Sequence, residues 1–194
     1  MPEIEMFDMF STPFLHGRLS EQAVAESLAG LEKLKERFPG NQPHPFHCDI
    51  WTTYECERNL FKDPNFATVT NEINVIATEY CRKRKAKVEA RMTEFWANVQ
   101  NLGQFQETHH HKGRMISGSL YLKVPQDETG AITFNTPRTH MYDDQYWDCD
   151  ADKEYISIIP EIGDIYMFPS WMMHGTRPVK EQRISMAFNY VAVT

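Results

Sequence analysis

The sequence predicts a protein of the α+β class that is mainly β. Two amphipathic helical patterns occupy the first half of the chain, and seven short strand-like segments separated by turn residues follow them. Short strands with this spacing are typical of a sandwich or barrel, which the helices are expected to buttress on one sheet. With 194 residues, 41% of them hydrophobic, the chain is long enough for one well-filled domain. We expect a single domain over 1–194, with a helical support region at 1–87 and a β core at 88–194.

The helices are predicted from apolar residues that recur every three or four positions. The first helix spans Ser20–Phe38, where Ser20 is the expected N-cap and Pro39-Gly40 ends the pattern. The second helix starts at Asp63-Pro64, because proline is favoured in a first helical turn. Before the first helix, an apolar stretch within Glu5–Leu19 predicts a short strand.

The strands are predicted from alternating apolar residues bounded by Gly, Asn and Asp. The predicted strands are Val88–Val99, Gly103–His109, Ile116–Val124, Ala131–Asn135, Tyr155–Ile159, Asp164–Phe168 and Ile184–Val193. Two stretches are predicted to be irregular. Asn41–Trp51 contains prolines together with His44 and His47, a pair without a third histidine nearby, so an exposed loop is favoured over a metal site. Arg138–Lys153 is a long polar and aromatic loop, either a cover over the core or a substrate lid.

The composition excludes several classes of protein. A formal net charge of −7 argues against nucleic-acid binding, and the basic cluster from Arg82 to Lys87 fits a solvated helix C-terminus. No apolar run reaches the roughly 20 residues needed to span a membrane. The cysteines lack the spacing of a zinc ribbon or a disulfide framework, which favours reduced thiols and a cytoplasmic location. They are Cys48, Cys56, Cys81 and Cys149.

Three consecutive histidines precede the strand that starts at Ile116. In an extended segment His109 and His111 point to one side and His110 to the other, so His109 and His111 are the expected metal-binding pair, and a register that uses His110 remains the alternative. His174 is the best candidate for a third ligand. Three protein ligands leave coordination positions open, which is typical of a catalytic metal rather than a structural one.

The last predicted strand divides by parity into an apolar and a polar face. Ile184, Met186, Phe188 and Tyr190 share the face that suits the helices. The other face carries Arg183, Ser185 and Asn189. A buried guanidinium requires an anion, which is either an ordinary acidic side chain or the carboxylate of a ligand.

In this order along the chain, these features resemble the Fe(II)- and 2-oxoglutarate-dependent oxygenases, and more narrowly the group of such oxygenases found in bacteria and phages. The resemblance covers about residues 92 to 194. It is carried by Asn98, Gly103, His109-x-His111, Ser117-Gly118, Tyr121, Asn135-Thr-Pro137-Arg138, Gly163-Asp164, Phe168-Pro169, His174, Arg183-Ile-Ser185 and Asn189.

The resemblance implies a double-stranded β-helix (a jelly-roll or cupin-like fold) with His109 and His174 as iron ligands. It further implies that Arg183, assisted by Ser185, holds the distal carboxylate of 2-oxoglutarate. Asn98, Tyr121 and Asn189 are expected to line the same pocket. The implied co-substrates are 2-oxoglutarate and O2, which the enzyme would use to hydroxylate a protein side chain, an amino acid or another small metabolite, with release of succinate and CO2.

One position departs from the superfamily pattern, which has Asp or Glu where this chain has His111. We therefore expect a three-histidine site of His109, His111 and His174. The departure keeps two alternatives open, namely a cupin-like three-histidine dioxygenase that does not use 2-oxoglutarate and a non-catalytic metal-binding domain. The sequence leaves the primary substrate and the oligomeric state undetermined, and a homodimer is compatible with it.

Overall fold

The computed structural model describes residues 4–5, 11–137 and 153–193. They form two α-helices, three short 3-10 helices and nine strands. The helices are α1 (Glu21–Arg37), α2 (Ala67–Lys83) and the 3-10 turns Leu60–Lys62, Pro64–Phe66 and Glu128–Gly130. The strands are β1 (Leu15–Arg18), β2 (Trp51–Thr52), β3 (Glu89–Gln100), β4 (Ile116–Lys123), β5 (Ile132–Asn135), β6 (Tyr155–Ile158), β7 (Asp164–Pro169), β8 (His174–Thr176) and β9 (Arg183–Val193).

Both predicted helices are present. Ser20 caps α1 by accepting a hydrogen bond from the backbone N–H of Ala23 at 3.1 Å. The second helix begins with the 3-10 turn Pro64–Phe66, which Asp63 caps through the N–H of Asn65 at 2.9 Å, and continues as α2. The acidic cap and the early proline therefore mark the start of the helical segment, one turn before its α-helical part.

The larger sheet has the strand order β1-β7-β4-β9-β3-β2 and is antiparallel throughout. Its apolar face packs against the two helices. That face includes Ile184, Met186, Phe188 and Tyr190 of β9, which share one buried cluster with Leu31 of α1 and Ile73 of α2. The parity predicted for the last strand is therefore confirmed, and its polar face points away from the helices.

The smaller sheet has the order β6-β5-β8 and packs on the polar side of the larger sheet. A second apolar cluster joins the two, with Tyr121 and Phe168 contributed by the larger sheet and Ile132 and Phe134 by the smaller one. Two antiparallel sheets facing each other in this manner form the double-stranded β-helix, or jelly roll. The expected α+β, mainly β fold with helices supporting one sheet is thus confirmed.

Some local predictions differ from the structure. Gly103–His109 does not form the predicted strand, because Gly103 adopts a turn at φ 78° and only His109 makes a ladder bridge, to His174. The short strands β2 and β8 have two and three residues, too few for a periodic pattern. Of the predicted loop Arg138–Lys153, all but the last residue lies outside the described residues.

Gly118 lies where three strands approach closely. A Cβ at this position would clash with the Phe188 ring on β9 and with the carbonyl oxygen of Tyr166 on β7. Gly118→Ala is therefore expected to lower the free energy of unfolding by about 1–3 kcal/mol, since the backbone cannot move aside as a flexible side chain would. Urea unfolding measures the loss. Lys123→Ala, at the exposed end of the same strand, is the control and should change the stability by at most about 0.5 kcal/mol.

Candidate active site

A cavity of about 220 Å³ lies between the two sheets, on the side away from the helices. Its walls come from the inward faces of β3 and β9, from the loop that carries His109 to Arg114, and from the start of β8. Aromatic and apolar side chains form part of the lining, and a larger number of polar side chains converge between them. Polar groups that converge in a concave site are typical of small-molecule binding.

Three histidines meet inside this cavity. His109 and His111 come from the loop before β4, and His174 is the first residue of β8. One ring nitrogen from each lies within 4.8 Å of the others, and Nε2 of His111 lies 3.4 Å from Nε2 of His174. The separation between the His111 and His174 nitrogens suits two imidazoles on a single metal ion with bonds of about 2.0–2.1 Å, and three protein ligands leave positions open.

The backbone holds two of these rings in a defined orientation. His109 and His174 exchange a pair of backbone hydrogen bonds, both 2.9 Å long. Nδ1 of His109 lies 2.8 Å from the carbonyl oxygen of Glu107, and Nδ1 of His174 lies 2.8 Å from that of Met172. Since a carbonyl only accepts, each Nδ1 carries the proton and donates it, which leaves both Nε2 lone pairs free for a metal.

Burial lowers the pKa of all three histidines. Desolvation is the main cause in each case, and the neighbouring imidazoles add to it for His111 and His174. The pKa of His111 falls to about 3. The rings are therefore neutral at physiological pH, which is the form that binds metals.

The other histidines considered from the sequence do not join this group. His110 is exposed at the rim of the cavity, as expected from its parity. Both ring nitrogens of His44 are used locally, since Nδ1 accepts from the N–H of Phe46 at 3.2 Å and Nε2 lies 3.1 Å from the carbonyl oxygen of Ile50. His47 is exposed.

Arg183 is buried at the other end of the cavity, with only 3% of its surface exposed. Nη1 donates to the carbonyl oxygen of Ala131 at 3.3 Å, the guanidinium lies 5.2 Å from the centre of the Tyr121 ring, and Nε has no partner. Burial lowers the pKa of Arg183, and no carboxylate of the described residues opposes that effect. A buried cation in this state requires an anion, and the cavity is where a ligand could supply it.

The remaining predicted site residues divide into two places. Ser185 on β9 pairs with Asn98 on β3 and with Tyr121 on β4, so these three lie next to Arg183. Tyr121 shares a hydrogen bond of 2.8 Å with Ser119. Asn189 is six residues from Arg183 along β9, a distance of about 20 Å, and lies beside His111 instead, with 3.1 Å between Nδ2 and Nδ1.

Glu94 and Trp96 were not identified from the sequence, although they share the inward parity of Asn98 on β3. Their position on the same face of the strand as Asn98 is the feature of the sequence that could have identified them. Glu94 is buried and bound by the guanidinium of Arg114 at 2.7 and 2.9 Å. Burial raises its pKa, but the hydrogen bonds from Arg114 and Asn189 and the charges of Arg114 and Arg58 together outweigh burial and lower the pKa overall, so Glu94 is ionised.

Comparison with known proteins agrees with this fold and site. Residues 94–189 match the family described as "Putative 2OG-Fe(II) oxygenase". A prolyl-4-hydroxylase from Pseudomonas putida superposes with a TM-score of 0.67 at 13% identity, covering 95% of both chains. A viral collagen prolyl hydroxylase from Paramecium Bursaria Chlorella virus-1, solved with 2-oxoglutarate, superposes with a TM-score of 0.60 at 15% identity, covering 93% of this chain and 96% of that one.

A third similar structure is the α-ketoglutarate-dependent epimerase SnoN of nogalamycin biosynthesis, with a TM-score of 0.67 at 15% identity, covering 93% of this chain and 78% of that one. The comparison with curated proteins finds no match. The described helices include none that is long and apolar enough to cross a membrane.

A double-stranded β-helix with an open histidine cluster suits a non-haem metal enzyme. Residues 94–189 match the 2OG-Fe(II) oxygenase family, and the protein is an enzyme that uses Fe(II) and 2-oxoglutarate. This finding favours the first of the three functions considered from the sequence over a cupin-like dioxygenase without 2-oxoglutarate or a non-catalytic domain.

Acidification is expected to destabilise the metal-free protein. Below about pH 6.5 the histidines of the unfolded chain take up protons, whereas folded His111 stays neutral down to about pH 3. Because the unfolded state then binds more protons, the free energy of unfolding decreases as the pH is lowered. The decrease is up to about 1.4 kcal/mol per pH unit for each such histidine. Urea unfolding between about pH 7.5 and about pH 5.5 measures the slope.

His111→Gln should make this slope shallower, because one buried titratable group is removed. His47→Asn is the control, since His47 is exposed. Equal slopes for wild type and His111→Gln would contradict the burial of a neutral imidazole at this position.

Proposed function

We propose that the protein hydroxylates a carbon of a protein side chain, an amino acid or another small metabolite, using Fe(II), 2-oxoglutarate and O2. The observation that carries this proposal is the buried Arg183, which lacks a carboxylate partner among the described residues and shares a cavity with three converging histidines. One end of the cavity then suits a metal and the other an anion. That is the arrangement a metal-chelating dicarboxylate such as 2-oxoglutarate requires.

His109, His111 and His174 are the proposed iron ligands. Their neutral imidazoles converge on one point, and His109 and His174 already present Nε2 towards it. When bound, iron and 2-oxoglutarate together activate O2 for attack on a substrate C–H bond, and succinate and CO2 are released. The residues of the chain hold these groups in place and keep bulk water away from them.

Arg183 is proposed to bind the distal carboxylate of 2-oxoglutarate. Its planar fork can make two parallel hydrogen bonds to a carboxylate, and the Ser185 hydroxyl on the same face of β9 can add a third. Tyr121 limits the mobility of the guanidinium by lying against it. Asn98 lines the cavity wall next to Ser185.

Arg183→Ala is expected to weaken 2-oxoglutarate binding by about 30-fold or more, because a buried charge-assisted contact contributes on the order of 2–5 kcal/mol. Arg183→Lys should recover only part of this affinity, since a point charge cannot reproduce the fork. Calorimetry with the Mn(II)-loaded protein measures affinity, and succinate formation with Fe(II) and ascorbate measures turnover.

The metal content of both variants should match wild type, because the histidines remain. Wild-type 2-oxoglutarate affinity in Arg183→Ala would refute the assignment. Loss of metal or unfolding would instead indicate that Arg183 forms a structural ion pair. Wild-type protein that neither binds 2-oxoglutarate nor produces succinate would refute the proposed function itself.

The primary substrate is proposed to bind against an aromatic wall formed by Phe46, Tyr54 and Trp96. Neighbouring rings in this wall lie 5.3 and 5.1 Å apart, and Trp96 lies 6.0 Å from the ring of His111. Phe46 and Tyr54 are half-buried and face the cavity. Aromatic faces favour apolar groups and rings, so a prolyl ring of the kind named for two of the similar structures fits this wall.

Phe46→Ala and Tyr54→Ala are expected to raise the KM for the primary substrate about 2- to 10-fold, since an aromatic contact contributes about 0.5–1.5 kcal/mol. The slow succinate formation without primary substrate should stay unchanged, because neither residue contacts the histidines or Arg183. Screening capped amino acids and prolyl peptides for stimulated succinate formation identifies the substrate to be used. Leu102→Ala, at an exposed apolar position, is the control. Unchanged KM in both wall variants would contradict the assignment.

A further inference from the structure

His111 differs from the other two histidines in the chemical group that faces its Nδ1 atom. Nδ1 of His109 and of His174 each face a carbonyl oxygen, whereas Nδ1 of His111 faces the side-chain nitrogen of Asn189 at 3.1 Å. An amide nitrogen donates hydrogen bonds and does not accept them. The hydrogen-bond role of His111 Nδ1 therefore depends on how the Asn189 amide is oriented.

The orientation of Asn189 is determined by Glu94. The Asn189 nitrogen lies 2.7 Å from Oε2 of Glu94, and this ionised carboxylate can only accept. On the other side, the Ser117 hydroxyl donates to Asn189 Oδ1 at 2.7 Å, and Ser117 also lies 2.9 Å from Ser170 Oγ. Turning the amide over would place Oδ1 against the Glu94 oxygen. The two hydrogens of Nδ2 are thus directed to Glu94 and to His111.

It follows that Nδ1 of His111 accepts a hydrogen bond and that the proton of the neutral ring lies on Nε2. In the other two histidines the proton lies on Nδ1. A metal needs the Nε2 lone pair. His109 and His174 are therefore ready to bind a metal, whereas His111 must first transfer its proton from Nε2 to Nδ1, where it meets the N–H of Asn189.

We propose that Asn189 and Glu94 are positioning residues that hold His111 in the tautomer opposite to that of His109 and His174, which makes His111 the weakest of the three metal ligands. The metal-affinity part of this inference rests on the proposed metal site. The tautomer part concerns the metal-free protein and stands independently. The ring keeps one proton throughout, since the proton that leaves Nε2 is replaced by one on Nδ1 through solvent.

Nitrogen-15 NMR of the metal-free protein tests the tautomers directly. Wild type should show the Nδ1–H form for two histidines of the cluster and the Nε2–H form for His111. Glu94→Gln is the decisive variant, because the introduced side-chain amide can donate to Asn189 Oδ1 and lets the Asn189 amide turn over. His111 should then change to the Nδ1–H form.

The same variant should bind cobalt(II), an air-stable probe of the site, about 10- to 100-fold more tightly than wild type, the range typical for partners of metal ligands. The direction of the change in cobalt(II) affinity distinguishes the two roles, because replacement of a carboxylate with only a structural role would weaken metal binding. Glu55→Gln is the matched control. This control removes a carboxylate that pairs with Arg58, and Arg58 also lies 3.7 Å from Glu94. The histidine tautomers and the cobalt(II) affinity should stay unchanged.

If Glu94→Gln does not fold, or if its side-chain oxygen still accepts from Asn189 and His111 keeps the Nε2–H form, Asn189→Ala provides the second test, because removal of the N–H donor should abolish the preference of His111 for the Nε2–H form. An Nδ1–H form of His111 in wild type, or an unchanged Nε2–H preference in the folded Asn189→Ala protein, would overturn the proposal. A wild-type protein that shows the Nε2–H form at His111 but binds no cobalt(II) would support the hydrogen-bond assignment and refute the three-histidine metal site.

Discussion

The structure depends on the pairing of β9 with β3 on one side and β4 on the other. Because side chains alternate along a strand, this register directs Met186 and Phe188 towards the helices and Arg183 and Ser185 into the cavity. A shift of one residue would reverse both faces. The hydrophobic core and the active site are therefore specified by the same strand, and the burial of large apolar residues on one face maintains the position of the polar residues on the other.

The two ends of the cavity favour ligands of opposite charge. At the histidine end, desolvation favours neutral rings, and the Nε2 lone pairs of His109 and His174 are available to a cation. At the Arg183 end, the charge persists despite desolvation, and an anion is accommodated by the guanidinium. Burial thus strengthens the selectivity of both ends, since water competes with neither a metal ion nor a carboxylate as it would at the surface.

The sequence predicted the elements whose signals are periodic or chemically rare. These include both helices, the parity of β9, and the convergence of His109, His111 and His174, which is rare enough to be recognised from spacing. Gly103–His109 was predicted wrongly because the segment has a single apolar residue, Phe105, and its neighbour β8 has only three residues, so neither carries a pattern that separates a strand from a turn. Glu94 was missed because a carboxylate on a strand gives no sign that Arg114, twenty residues away, will neutralise it.

The reciprocal hydrogen bonds between His109 and His174 have a further consequence. The backbones of these two residues are bonded directly to each other, so the separation of their rings is a property of the β-ladder and does not depend on a bound ion. A metal ion held by these two rings would therefore require little ordering of the chain, since the cost of bringing the two rings together is met when the chain folds.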